Sequence, residues 1–147
     1  MKLGKMRGTW INGVLLLLGA PRTEANRKFL WGWWQCEGGN HGPKGNVYPS
    51  PKFNWLCTTQ KMFGATNYNE VGVKNYLTWM QGVRATVKTL KNGRYDDILI
   101  ALKNGNPFLK QPLNGLSTWL TGKPVNNNPV GLAYAQKVIK TGWEWKL

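Results

Sequence analysis

Six acidic residues stand against twenty basic ones, so the carboxylates able to do acid–base work can be taken one by one. Glu37 is the one whose neighbours alter its chemistry. On a helix turning about 100° per residue, Leu30, Trp33 and Trp34 share its side, while Lys28 and Gln35 point the other way. Its carboxyl therefore continues an apolar stripe. It also closes the last turn before Gly38-Gly39, where the helix dipole presents negative partial charge. Desolvation and dipole both favour the protonated form. That is the property of a general acid for cleaving a glycosidic bond. The other reading is a buried glutamate paired with a cation such as Arg84.

Two-carboxylate glycosidases need a second Asp or Glu near the first. Asp96, Asp97 and Glu24 fall at helix starts, where negative charge is favoured for its own sake. Glu144 lies in the tail. Glu70, after Tyr68-Asn69, is left as the second carboxylate. Without it, one carboxylate must suffice, with water positioned by polar side chains or with a hydroxyl of the sugar itself as nucleophile.

Other chemistries find less support. A zinc peptidase or amidase needs several ligands at fixed spacing, and His41 is the only histidine. No metal or cofactor is expected. Cys36 lies five residues from His41, too near in sequence for the usual cysteine-peptidase pair. Two cysteines, Cys36 and Cys57, are too few for a disulfide framework and leave open one bridge or two buried thiols.

The elements that must position Glu37 read as all-α around one large loop. Trp10–Leu18 is a short apolar helix closed by Gly19 and Pro21. Lys2, Lys5 and Arg7 before Val14–Leu18 mimic a signal peptide, but Pro21 follows the would-be cut, and the run is too short to span a bilayer. We expect a buried first helix and no cleaved export signal. Thr23 caps a helix from Glu24 to about Glu37, stopped by Gly38-Gly39. Gly38 to about Asn69 is long and irregular, with room for short strand pairings, and such a loop is usually functional. Gly72–Lys91 is the strongest helical pattern, with Val73, Tyr76, Leu77, Met80, Val83, Val87 and Leu90 at helical spacing. Asp96 caps a short helix through Leu102, ending at Gly105. Leu116–Leu120 forms another. Asn128-Pro129 opens the last, through Ile139.

Several segments, taken in order, resemble one family. Trp33-Trp34-Gln35-Cys36-Glu37-Gly38-Gly39 resembles the W-x-x-x-E-G-G helix end of phage lysins with a lysozyme-like fold. Asn54-Trp55-Leu56-Cys57-Thr58-Thr59-Gln60 resembles their N-P-L-N-T-T segment. Gly64 through Asn69, then Gly72-Val73-Lys74-Asn75-Tyr76, is similar to G-x-x-x-Y-N-x-x-G-V-x-x-Y. The likeness spans about Val14 to Asn106 and fades beyond Pro107. It implies a single, mainly α, lysozyme-like catalytic domain over residues 1–147. Glu37 then matches the catalytic acid, and Asn54, Thr58, Thr59, Tyr68 and Asn69 match polar, substrate-binding positions of the cleft. Glu70 is outside the pattern. Trp55 and Cys57 stand where the pattern has Pro and Asn, and Cys36 where it has a small residue. Because those two motifs should face each other, the resemblance favours a Cys36–Cys57 bridge.

The implied activity is that of a lysozyme (muramidase) or lytic transglycosylase cutting the MurNAc–GlcNAc backbone of peptidoglycan. The implied setting is a phage that uses it as an endolysin or carries it on the virion tail, acting on the host wall. A net charge of +14 would draw such a chain to anionic wall polymers. Nine tryptophans are more than a core of this size needs and suggest a cleft whose flat apolar faces meet sugar rings or bases as well. The alternatives are an inactive wall-binding or virion module of the same fold, and a basic nucleic-acid-binding protein. No recognition helix or stacking sheet supports the last, and no nucleic-acid partner is expected.

Overall fold

The computed structural model describes residues 3–37 and 51–146. Gly38, Gly39 and His41, named above, lie outside the described residues. Six helices and one small antiparallel pair of strands follow in chain order among the described residues: α1 (Leu3–Leu18), α2 (Glu24–Cys36), β1 (Thr66–Asn67), β2 (Lys74–Asn75), α3 (Trp79–Leu90), α4 (Asp96–Lys103), α5 (Leu113–Thr121) and α6 (Pro129–Trp143). The protein is mainly helical, as its sequence predicts. Among the described residues no helix is long and apolar enough to cross a membrane.

α2 is the axis of the molecule. Thr23 starts it, with an extended backbone and a side-chain oxygen that accepts from the Asn26 amide. Phe29, Leu30, Trp33 and Trp34 are fully buried along it. They join Val14, Leu15 and Leu18 of α1, Val83, Val87 and Leu90 of α3, and Val138 of α6 in one core. Asn26, also buried, donates to the carbonyls of Pro21 and Leu102 and so ties α2 to the end of α4. α6 packs along α2 in the opposite direction. The helices approach closely because glycine faces glycine: a Cβ on Gly32 would collide with the Gly142 backbone, and one on Gly142 would meet the Lys28 carbonyl at 2.8 Å. That approach brings side chains of α6 to the end of α2.

The segment 72–78 departs from expectation. The helix predicted from Gly72 starts only at Trp79, capped by Thr78, whose side chain accepts from the Gln81 amide. Thr66 pairs with Asn75 and Asn67 with Lys74. Gly72 takes a φ of +91°, which a helix excludes. Val73 and Tyr76 are buried, as a helical stripe would have them, but Leu77 is exposed, because it sits in the bend before α3 and not on a helix face. The Tyr76 amide donates to the Lys52 carbonyl and its hydroxyl to the Gln60 carbonyl, bonds that fix the hairpin to the preceding loop.

Elsewhere the differences are of extent. α1 reaches back to Leu3, α5 starts at Leu113 and α6 runs on to Trp143. Asn128 caps α6 by accepting from the Gly131 amide, with Pro129 at its start. Asp96 lies in the first turn of α4 and does not cap it. Asp97 does the bonding, accepting from the Ile98 amide and, across to α5, from the Gly115 amide.

Candidate active site

Glu37 is the residue that ends α2. Its amide bonds to the Trp33 and Trp34 carbonyls, so its backbone is still tied to the helix as the chain turns away. Its carboxyl is half-buried at the edge of the tryptophan core. Arg84, the cation offered above as its partner, is exposed on α3. Among the described residues no ion pair involves Glu37.

Its partner is Tyr134 of α6. The Tyr134 hydroxyl bonds to Glu37 Oε1. The Trp33 indole N–H donates to the same hydroxyl at 3.0 Å. These two bonds set the direction of the relay. A phenol has one proton, and Trp33 can only donate, so Tyr134 accepts from Trp33 and has its O–H free to donate to the Glu37 carboxylate. Burial raises the pKa of Glu37, while the bonds from Tyr134 and Trp33 pull it partly back down. Burial and the adjacent carboxylate push the Tyr134 phenol well above its ordinary range, so it stays protonated and remains a donor. The result is a carboxyl fixed in orientation, biased toward the protonated form, with a donor ready for the carboxylate.

The loop before the hairpin closes over this end of α2. Cys57, at a φ of +58°, directs its thiol at the Glu37 carbonyl, 3.7 Å away. Burial, then the Glu37 charge, pushes that thiol up to about 12, so it is neutral at working pH. Cys36 turns the other way, to the Thr141 hydroxyl at 3.7 Å. Both cysteines are free. The bridge favoured by the resemblance is therefore not formed: the two sulfurs sit at the same helix end but serve different partners, one on α6 and one on the α2 carbonyl.

Beside Cys57 lies a hollow of about 100 Å³, lined by Thr58, Thr59, Thr89, Tyr95 and Trp119 as well as the cysteine. Thr59 is exposed there, as a cleft residue should be. Trp119 is locked in place by donating to the Leu56 carbonyl at 3.0 Å and by standing edge-on to Trp33, with ring centres 4.9 Å apart.

The other predicted polar residues separate into two groups. Asn54 is completely buried, donates to the Thr58 and Lys74 carbonyls and accepts from the Thr58 amide. Thr58 is buried too, with its hydroxyl 2.6 Å from that of Thr89. Asn54 and Thr58 are thus corrected from cleft residues to the bonds that hold the loop: their polar atoms are consumed by the protein itself. Tyr68, Asn69 and Glu70 are exposed around the turn between β1 and β2. Asn69 accepts from the Val73 amide and shapes that turn. None of the three bonds to the Glu37 cluster. Tyr134 and Trp119 were not singled out from the sequence. The trace they left was weak: Tyr134 lies beside the buried Ala135 and Val138 on an amphipathic helix, where a phenol needs a partner.

No family model, curated protein or solved structure matches this chain.

Proposed function

We propose that this protein is a peptidoglycan-cleaving glycosidase of the lysozyme or lytic-transglycosylase kind, in a lysozyme-like domain, with Glu37 as its general acid. The observation that carries the reading is the half-buried Glu37 carboxyl, without an ion-pair partner among the described residues, raised in pKa by burial and aligned by Tyr134. The mainly helical architecture, with a small antiparallel hairpin between α2 and α3, supports the domain assignment. The small hollow beside Cys57 presents the exposed Thr59 and the Trp119 ring next to the loop that covers this end of α2, enough to meet one edge of a sugar.

Glu37 would give its proton to the glycosidic oxygen as the C–O bond breaks. The carboxylate left behind would accept the Tyr134 O–H, which stabilises the charge where it develops. A nucleophilic hydroxyl would then add to the sugar cation and return its proton to Glu37. Water as nucleophile makes a hydrolase, and a hydroxyl of the same sugar makes a transglycosylase. Glu70 has no part in this scheme, since it stands exposed on the hairpin turn. A phage origin, with action on the host wall, belongs to the same proposal, and the +14 charge would hold the enzyme on an anionic wall.

Mass spectrometry of purified peptidoglycan after digestion tests the reading. New reducing or anhydro glycan ends are expected. Unchanged glycan strands, with no turbidity loss in susceptible cells, would leave a binding or virion module instead.

A further inference from the structure

We propose that the end of the α2–α6 pair opposite Glu37, around Phe108 and Trp143, is a second glycan-binding site. Two open grooves share that aromatic pair. One, of about 330 Å³, runs past Gln111, Gln136 and Lys140. The other, of about 260 Å³, runs past Glu24, Lys28 and Asn106. Trp143 forms the ridge between them and is 63% exposed. It is not a loose side chain. Phe108 meets it edge-on at 5.4 Å, and the Lys28 ammonium lies 5.4 Å from its ring centre. A large exposed ring held in one orientation loses little freedom when a ligand stacks on it.

The Phe108–Trp143 end of the site is remote from the acid, while Gln136, two residues after Tyr134 on α6 and exposed, marks its nearer wall. Lys28 precedes Glu37 by nine residues on α2, roughly 13 Å along the axis, and Trp143 follows Tyr134 by the same number on the antiparallel α6.

Charge decides what the grooves fit. The chain as a whole is strongly basic, yet one of its six acidic residues lines a groove here and a second pairs with a groove lysine. Glu24 faces the groove with Lys28, and Lys140 pairs with Glu144 at 4.0 Å. A site for a phosphate chain concentrates cations. This one has only Lys28, beside Glu24, and Lys140, paired with Glu144, and adds the neutral amides of Gln111, Gln136 and Asn106, which both donate and accept. An uncharged polyhydroxyl chain with apolar C–H faces matches that mixture: the ring faces stack on Trp143, and hydroxyl and N-acetyl groups meet the amides and carboxylates. The identity of the glycan as peptidoglycan rests on the function proposed above.

The test is retention of the full-length protein on sacculi stripped of teichoic acids, measured by pelleting in the cold. Trp143→Ala should weaken binding by about tenfold, the scale of losing one anchoring aromatic. Gln136→Ala, an exposed position that carries no packing, should weaken it less but measurably. Cleavage of a short soluble glycan by both variants should stay at the wild-type rate. Unchanged retention of both variants would overturn the proposal. So would Trp143-dependent, salt-sensitive binding of single-stranded DNA stronger than binding to sacculi, which would give the grooves to a phosphate chain. If the wild type cuts no glycan while retention still depends on Trp143, the glycosidase reading fails and the glycan site stands.

Discussion

At the scale of single residues the centre of the molecule is a three-member relay in which the Trp33 indole donates to the Tyr134 hydroxyl and that hydroxyl donates to the Glu37 carboxylate. Removing the Tyr134 hydroxyl removes a donor to the carboxylate while leaving the desolvation in place. Tyr134→Phe should therefore raise the pKa of Glu37 further and move the alkaline limb of the pH–activity profile to higher pH. Its maximum rate should fall by roughly 100-fold, the lower end of the scale for one lost stabilising donor. A limb that moves to lower pH would contradict the relay. The same carboxyl links stability to pH. Its folded pKa lies above its ordinary 4.5, so the folded chain holds this proton more tightly than the unfolded chain. The stability it contributes is complete below 4.5 and is lost as pH rises through the folded value. Glu37→Gln keeps an acceptor for Tyr134 without the charge. Thermal melts should show it more stable than wild type at neutral pH, with the difference closing in acid. Equal melting at both pH values would refute the effect of burial on this carboxyl.

At the scale of elements the loop over the site owes its shape to Asn54, whose side chain satisfies three backbone groups from residues 58 and 74. Asn54→Ala leaves those groups buried without partners and should cost about 2–4 kcal/mol, read by chemical denaturation. A normal melt with a raised KM would return Asn54 to the substrate. What the sequence reveals at this scale depends on how local the cause is. The cap at Thr23, the apolar stripe of α2 and the place of Glu37 at its end depend on residues within one helix, and all three are legible. The segment 72–78 is not. Val73 and Tyr76 are three apart and both buried, a spacing that a helix and this hairpin satisfy alike, and the bonds that choose between them come from Lys52 and Gln60. Asn54 reads as a cleft residue because a buried amide and a ligand-facing amide are the same letters. Tyr134 lies 97 residues from Glu37 and meets it only because Gly32 and Gly142 let α6 approach α2. The cysteines show the limit again: two sulfurs at one helix end were legible, but not that each points elsewhere.

At the scale of the whole molecule, charge and tryptophan divide the work. Trp10, Trp33, Trp34 and Trp55 are core, so the high tryptophan content reflects packing before recognition, and Trp143 is the most exposed tryptophan among the described residues. The net charge of +14 acts at long range and is screened by salt. Raising salt from about 50 to about 200 mM should slow digestion of intact walls several-fold and leave cleavage of a short neutral glycan unchanged. Equal salt effects on both substrates would place the charge in the chemistry itself. The central claim, that Glu37 delivers the proton, is tested most directly by digesting purified peptidoglycan with wild type and Glu37→Gln under identical conditions. The account predicts that release of glycan fragments falls by at least about 100-fold in a variant that melts as well as wild type. Comparable release by the two proteins would contradict it.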